Sequence, residues 1–148
     1  MERVIRGKAV VAGRASGEAL VGPEPLSFWG GYDYRTGEII DRRHPLSGRI
    51  AAGCVLAVPF SRGSSTTTAV LLEAVKAGTA PAAIVTTEAD AFFALASIVA
   101  DVMYGRAIPV VALASEEFAS LETGKWIEVY ADGLLRIREP KQSSEASP

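Results

Sequence analysis

The rhythm of hydrophobic and polar positions changes near residue 54. Before it, short apolar stretches alternate with turn residues. Val4–Val11 is rich in β-branched and apolar residues and is interrupted by Gly7. The run Gly13-Arg14-Ala15-Ser16-Gly17 predicts a turn, and Glu18–Val21 a second short strand. From Gly22 to Gly48 no period survives, because Pro23, Pro25, Gly30, Gly31, Gly37, Pro45 and Gly48 punctuate the chain, with a hairpin tip expected at Arg35-Thr36-Gly37. A stretch of that length without regular structure inside a compact domain is more often a functional loop than filler.

After residue 54 longer elements appear. Cys54-Val55-Leu56-Ala57-Val58-Pro59 is a continuous apolar run, the mark of a strand covered on both faces. The small-residue loop Ser61-Arg62-Gly63-Ser64-Ser65 leads into a helix over Thr66–Ala77, with Val70, Leu71, Ala74 and Val75 on one stripe and Gly78 as its stop. Pro81–Val85 is a second apolar strand. Thr87-Glu88-Ala89-Asp90 resembles a capping box with Asp at its fourth position, and the helix it opens should run to Tyr104 and end at Gly105. Ile108–Leu113 is a third buried strand, and Ser115-Glu116-Glu117 is expected to cap a short helix through Leu121. Trp126–Tyr130 and Leu134–Ile137 form a hairpin around Ala131-Asp132-Gly133, and the polar tail from Glu139 to Pro148 is expected to be disordered.

Strand, helix, strand, helix, strand implies parallel pairing in the middle of the chain. The flanking strands must extend that sheet or build a second one. The expected fold is α/β in a β/β/α arrangement, one domain over residues 1–138 with a partly parallel sheet and flanking β-strands.

Charge and composition narrow the function classes. The 148 residues carry 15 Lys+Arg against 17 Asp+Glu, a net charge of −2, so the basic stripe that grips a phosphate backbone is missing and nucleic acid is not expected as a partner. The longest apolar runs, such as Ala91–Val99, fall short of the roughly 20 residues of a membrane span. The first residues, Met1-Glu2-Arg3-Val4-Ile5-Arg6, hold no apolar segment of signal-peptide length. One cysteine, Cys54, permits no internal disulfide and holds no metal cluster by itself. A soluble, cytoplasmic chain with no metal site of its own is the expectation.

The strongest local candidate for chemistry is Pro59-Phe60-Ser61-Arg62-Gly63-Ser64-Ser65-Thr66, a glycine-containing loop between a buried strand and a helix start. Open α/β sheets take ligands outside the carboxyl ends of their strands, and a helix N-terminus offers unpaired N–H groups and about half a positive charge. Ser64 or Ser65 there suits an anion or an activated hydroxyl, with Arg62 adding charge. The same residues also read as an ordinary turn in which Ser65 or Thr66 caps the helix. Leu26-Ser27-Phe28-Trp29-Gly30-Gly31-Tyr32-Asp33 is the second candidate: Gly30 and Gly31 let backbone approach a ligand closely, Phe28 and Trp29 read as pins into the core, and exposed aromatics facing a partner fit as well. His44, the one histidine, precedes Pro45 and reads as structural or superficial. Asp33, Asp41, Glu88 and Asp90 form no paired-carboxylate pattern; Glu88 and Asp90 favour a helix start. Cys54 reads as an inert core thiol, and Met103 and Tyr104 as core or helix-end residues.

Taken in order, Glu18-Ala19-Leu20-Val21, Pro25-Leu26-Ser27-Phe28-Trp29-Gly30-Gly31-Tyr32-Asp33, Thr36-Gly37, Ile40-Asp41, His44-Pro45-Leu46, Gly48, Arg62-Gly63-Ser64-Ser65 and Gly78-Thr79-Ala80-Pro81-Ala82-Ala83-Ile84 resemble the small subunit of aconitase X-type dehydratases over Val4–Ile137. The resemblance implies the swivelling β/β/α domain of the aconitase superfamily, and a separate large catalytic subunit carrying iron or an iron–sulfur cluster. It implies elimination of water from a small hydroxy acid. It also implies that Ser64 is the proton acceptor; Arg62, Gly63, Ser65, Gly30 and Gly31 are the residues expected around the substrate. One departure stands out: aconitases proper place an arginine two residues after this serine to grip a carboxylate, and here that residue is Thr66. Two substrates occur in the family, cis-3-hydroxy-L-proline and mevalonate 5-phosphate. Ser64-Ser65-Thr66-Thr67-Thr68 and Phe60-Ser61 stand nearer to the bacterial hydroxyproline enzymes. Two rival readings are a phosphohistidine swivelling domain, which needs a histidine where Ser64 and Ser65 stand, and a non-catalytic binding module that kept the fold alone.

Overall fold

The computed structural model describes residues 2–62 and 66–140. The first half contributes β1 (Arg3–Arg6), β2 (Lys8–Val11), β3 (Ala15–Val21) and a two-stranded hairpin of β4 (Tyr32–Asp33) and β5 (Glu38–Ile39). The second half runs β6 (Val55–Ala57), α1 (Thr66–Ala77), β7 (Ala83–Thr86), α2 (Ala91–Tyr104), β8 (Val110–Ala112), α3 (Ser115–Ala119), β9 (Trp126–Val129) and β10 (Leu134–Arg138).

The parallel middle of the sheet is β3-β6-β7-β8: the strand–helix alternation predicts β6, β7 and β8, and β3 extends them. Register sorts the apolar runs into two faces. Leu20, Leu56, Ile84 and Val110 lie side by side across the four strands. They pack with Leu71 and Ala74 of α1 and Phe93, Ala96 and Ala100 of α2 in one buried cluster. The residues between them, Ala19, Val55, Ala57, Ala83, Val85 and Val111, join a second cluster with Ile127, Val129, Leu135 and Ile137 of the hairpin β9–β10. Helices therefore cover one face and strands the other, which is the β/β/α layering. It matches the fold expected from the sequence.

The second sheet closes onto the first through two shared strands. Ala15–Glu18 of β3 pair antiparallel with β9, while Ala19–Val21 pair parallel with β6. At the other margin β1 pairs with β10 and β2 with β8, so both edges of the eight-stranded sheet are halves of one run broken at Gly7. That break needs a residue without a side chain: a Cβ at Gly7 would stand 2.5 Å from Val111 Cγ1 and 3.0 Å from the Ala112 carbonyl oxygen. Closure leaves few free strand edges to pair with other chains.

Three local expectations are corrected. β3 begins at Ala15, so the predicted turn is shorter than Gly13–Gly17, because Ala15, Ser16 and Gly17 find partners in β9 more than a hundred residues away. Asp90, not Thr87, is the N-cap of α2: its carboxylate accepts from Phe92 N and Phe93 N, while the Thr87 hydroxyl donates to the Pro59 carbonyl. α3 is preceded by Ala114 with no side-chain cap bond and ends at Ala119, short of Leu121. α1, the end of α2 at a left-handed Gly105, and the hairpin tip with Gly37 at φ +82° stand as the pattern predicts.

Leu56 is fully buried, in register between Leu20 and Ile84. Leu56→Ala is expected to cost about 2–5 kcal/mol, read as a lower denaturant midpoint at unchanged slope. A loss below about 1 kcal/mol would show that the helix-facing row is not the packed seam described.

Candidate functional site at the ends of the parallel strands

The parallel strands deliver their carboxyl ends to one side of the sheet, and the loop after β6 is built there. Its first residues are fixed from three directions. Val58 N donates to the Val85 carbonyl, and Thr87 N and Thr87 Oγ1 both donate to the Pro59 carbonyl at 3.0 and 3.1 Å. Arg62 N donates to the Leu26 carbonyl at 3.0 Å and Leu26 N to the Phe60 carbonyl at 3.4 Å, a parallel bridge that joins this loop to the one carrying Trp29. On the third side Ser61 meets Asp90. Ser61 N donates to Asp90 Oδ2 at 2.7 Å, and Ser61 Oγ lies 2.8 Å from Oδ2 and 3.0 Å from Oδ1.

Arg62 follows, exposed, and the chain resumes as α1 at Thr66. Gly63, Ser64 and Ser65, three of the residues singled out by sequence, lie outside the described residues. Thr66 is the first helical residue, which removes it as the cap. Across the loop, Thr68 Oγ1 donates to the Phe92 carbonyl at 3.4 Å, linking the first turns of α1 and α2. Both helices thus start at this end of the sheet, α2 with its first turn capped by the Asp90 carboxylate.

The neighbouring loop is half core and half surface. Phe28 is fully buried, stacked on Tyr32 at 4.8 Å between ring centroids and edge-on to Phe93 at 5.6 Å. Trp29 points outward with 69% of its surface exposed, which decides for the exposed aromatic over a second pin into the core. The two glycines differ. At Gly31 an added Cβ would stand 2.1 Å from the Ser27 carbonyl oxygen, so the loop's own backbone requires glycine there. At Gly30, with φ +74°, nothing lies within 4 Å of the corresponding position, and that surface is open to a ligand or partner.

The other singled-out residues have structural roles. His44 is buried: Leu46 N donates to Nδ1 at 3.1 Å, which leaves Nε2 to carry the proton and donate to the Glu24 carbonyl at 3.0 Å. Asp33 and Asp41 accept from the backbone N–H two residues on, at Arg35 and Arg43. Burial pushes the Tyr32 phenol far above its ordinary range, and its hydroxyl donates to the Thr79 carbonyl at 2.7 Å. Cys54 precedes β6 and is half-buried rather than set inside the strand; desolvation, with Glu18 adding to it, raises its thiol pKa. Met103 is exposed and Tyr104 half-buried at the end of α2.

Sequence reading missed the Ser61–Asp90 pair. Asp90 was legible as a helix-start acid, since it precedes the apolar run Ala91-Phe92-Phe93, but its second partner lies 29 residues earlier and no local pattern joins them. Among the described residues no group of three His, Cys, Asp or Glu converges to hold a metal ion, and no helix is long and apolar enough to cross a membrane.

Comparison with known proteins adds a family to this geometry. The family model for the aconitase X swivel domain matches residues 4–137. The chain is 48% identical over 142 residues to cis-3-hydroxy-L-proline dehydratase of Pseudomonas aeruginosa, covering 95% of this chain and 24% of that protein. It is 40% identical over 132 residues to the phosphomevalonate dehydratase small subunit of Methanothermobacter thermautotrophicus, covering 88% of this chain and 96% of the other. The crystal structure of Thermococcus kodakaraensis aconitase X in its holo-form superposes with a TM-score of 0.83 at 33% identity, over 93% of this chain and 99% of that one. The chain therefore spans about a quarter of the hydroxyproline dehydratase and nearly all of the small subunit.

Two outcomes follow from the local geometry. Gly31→Ala is expected to cost about 3 kcal/mol or more through backbone overlap, against about 1–2 kcal/mol for the strain of Gly30→Ala; equal losses in denaturant titrations would contradict the Ser27 contact. The raised Cys54 pKa leaves less thiolate at any given pH. Alkylation by iodoacetamide at pH 8 should therefore run several-fold slower than for free cysteine, and Glu18→Gln should speed it.

Proposed function

The chain belongs to the aconitase X swivel-domain family, and we propose that it acts as the small subunit of a dehydratase that removes water from a hydroxy acid, with Ser64 as proton acceptor. The observation that carries this is the family match over residues 4–137, which spans the loop that runs from Ser61 to Thr66 at the carboxyl ends of the parallel strands. Elimination requires a base to take the proton from carbon while the hydroxyl leaves from the neighbouring carbon, the electron pair of the C–H bond becoming the new double bond. A serine hydroxyl is a weak acid, so its alkoxide needs positive charge set in place beforehand. The start of α1 supplies partial positive charge and Arg62 a full one. With Thr66 in the place where aconitases proper carry an arginine, the substrate carboxylate falls to Arg62, to backbone N–H groups of Gly63 and Ser65, or to the large subunit. Gly30, open on its outer side, suits a surface that a ligand or the large subunit covers.

Iron or an iron–sulfur cluster is assigned to the large subunit, as the resemblance to the family implies. This chain's share is the acceptor, the anion grip and one wall that excludes water. Cis-3-hydroxy-L-proline is the favoured substrate, supported by 48% identity to the Pseudomonas enzyme against 40% to the Methanothermobacter small subunit. Mevalonate 5-phosphate is the second reading, supported by the match to 96% of that small subunit.

The chain, mixed with the large subunit encoded in the same genome and reconstituted anaerobically with iron, should dehydrate cis-3-hydroxy-L-proline, whereas neither chain alone should. Ser64→Ala should lower kcat by about 10²–10⁴, the typical contribution of a positioned base. Turnover of mevalonate 5-phosphate alone would move the assignment to that substrate. Unchanged turnover in Ser64→Ala would remove the serine from its role.

A further inference from the structure

The outward face of α2 is apolar and exposed. Asp101 is the one charged residue among the fourteen of this helix, Ala91–Tyr104. Phe93, Ala96, Ser97 and Ala100 face the core. Leu95, Ile98 and Val102 recur at i, i+3 and i+7 on the opposite side, with Met103 next to them, and these four are 48–80% exposed. A helix with one buried face ordinarily turns charged and polar residues to water, whereas one that is apolar all round belongs inside an assembly. Its neighbour α1 follows the ordinary rule, exposing Glu73 and Lys76. The apolar face is therefore a property of α2 and not of the helical layer.

Exposed apolar residues continue from this helix to the candidate site. Trp29 and Phe60, both exposed, stand on segments fastened to the first turn of α2. Phe28, beside Trp29, packs edge-on to Phe93 at 5.6 Å, and Ser61, beside Phe60, donates its N–H to the Asp90 cap at 2.7 Å. We infer that the outward face of α2 is part of the docking surface for the large subunit, which meets it at the end of the sheet that carries the site. This rests on the reading of the chain as a dehydratase small subunit, which brings the large subunit to that end. Area and setting select this occupant over a second copy of the chain. Four such half-exposed side chains carry on the order of 300 Å² of apolar surface. A symmetric pair through α2 alone would bury about twice that, short of the roughly 1,200–2,000 Å² of a stable interface. A partner that covers Trp29 and Phe60 as well has more to bury. In the Pseudomonas dehydratase the matching segment is 24% of the protein, so most of that chain is available to pack on this domain. One carboxylate in fourteen residues also suits a permanent partner, because obligate interfaces resemble a domain core cut in half.

The test has one arm on the wild-type chain and one on variants, both with the large subunit encoded in the same genome. Hydroxyl-radical labelling of the wild-type chain should mark Leu95, Ile98 and Met103 when it is alone, and should fall several-fold at these residues in the complex. Ile98→Lys places its ammonium three residues before Asp101, where the helix tolerates it, and the chain alone should keep its thermal midpoint within a few degrees. Calorimetric titration with the large subunit should give a Kd at least about tenfold weaker for Ile98→Lys, because docking would bury the new charge. Glu73→Lys on α1 should bind as wild type does. Protection and weakened binding together are the expected result. Unchanged labelling of α2 in the complex, or wild-type affinity in Ile98→Lys, would overturn the inference. A chain that is dimeric alone and becomes monomeric in Ile98→Lys would give the face to a second copy and overturn it as well. No association of the wild-type chain with the large subunit would instead overturn the small-subunit reading, and this docking surface with it.

Discussion

Four parallel strands, three to seven residues long, must hide both faces at once, and the rest of this molecule is arranged around that requirement. Parallel neighbours need crossovers; β3 reaches β6 through the segment that carries the β4–β5 hairpin, and the other two crossovers are α1 and α2, which cover one face. The other face has no helix of comparable length to take, so the hairpin β9–β10 covers it, tied in by β3 on one side and by the broken run β1–β2 on the other. Side-chain size follows the same division. Leu20, Leu56 and Ile84 fill the wider space below the helices. Ala19, Ala57 and Ala83 let the second sheet come close.

The site is a consequence of this arrangement. Parallel strands point their carboxyl ends the same way, so the loop after β6, the turn after β7 and the chain leaving β3 converge. Pro59, Ser61 and Arg62 are held by Thr87, Asp90 and Leu26, from each of the two neighbouring segments. The helices that follow begin at the same end and direct their N–H groups there. A buried carboxylate satisfied by four donors is a stable anchor, and removing one partner of such a set typically costs more than the bond itself contributes.

The described residues bring the start of α1 and the exposed Arg62 to this end of the sheet, and hold no cluster of metal-binding side chains. The relatives come in two arrangements, one in which the matching segment is about a quarter of a longer protein and one in which it makes up nearly a whole small subunit. The half-buried, half-exposed loop around Phe28 and Trp29 is consistent with that. Phe28 ties it to the core of this chain, while Trp29 and the open side of Gly30 face outward.

Local chemistry alone determined the helix Thr66–Ala77, the stop of α2 at Gly105, the hairpins at Gly37 and Gly133, and the parallel pairing of β6, β7 and β8. Each depends on periodicity, on a glycine at positive φ, or on an unbroken apolar run, and all are visible within a few residues. The family resemblance was legible in the same way, from short motifs in order. What the sequence left undecided were pairings between distant segments. Ala15–Gly17 became strand because β9 was there to receive them, Gly7 had to be bare because Val111 and Ala112 pass beside it, and Trp29 turned out while Phe28 turned in. The choice of Asp90 over Thr87 as cap, and its second bond to Ser61, belongs to that group too. A hydrogen bond across 29 residues has no local signature, because the free energy that selects it arises only when the sheet has brought the two loops together.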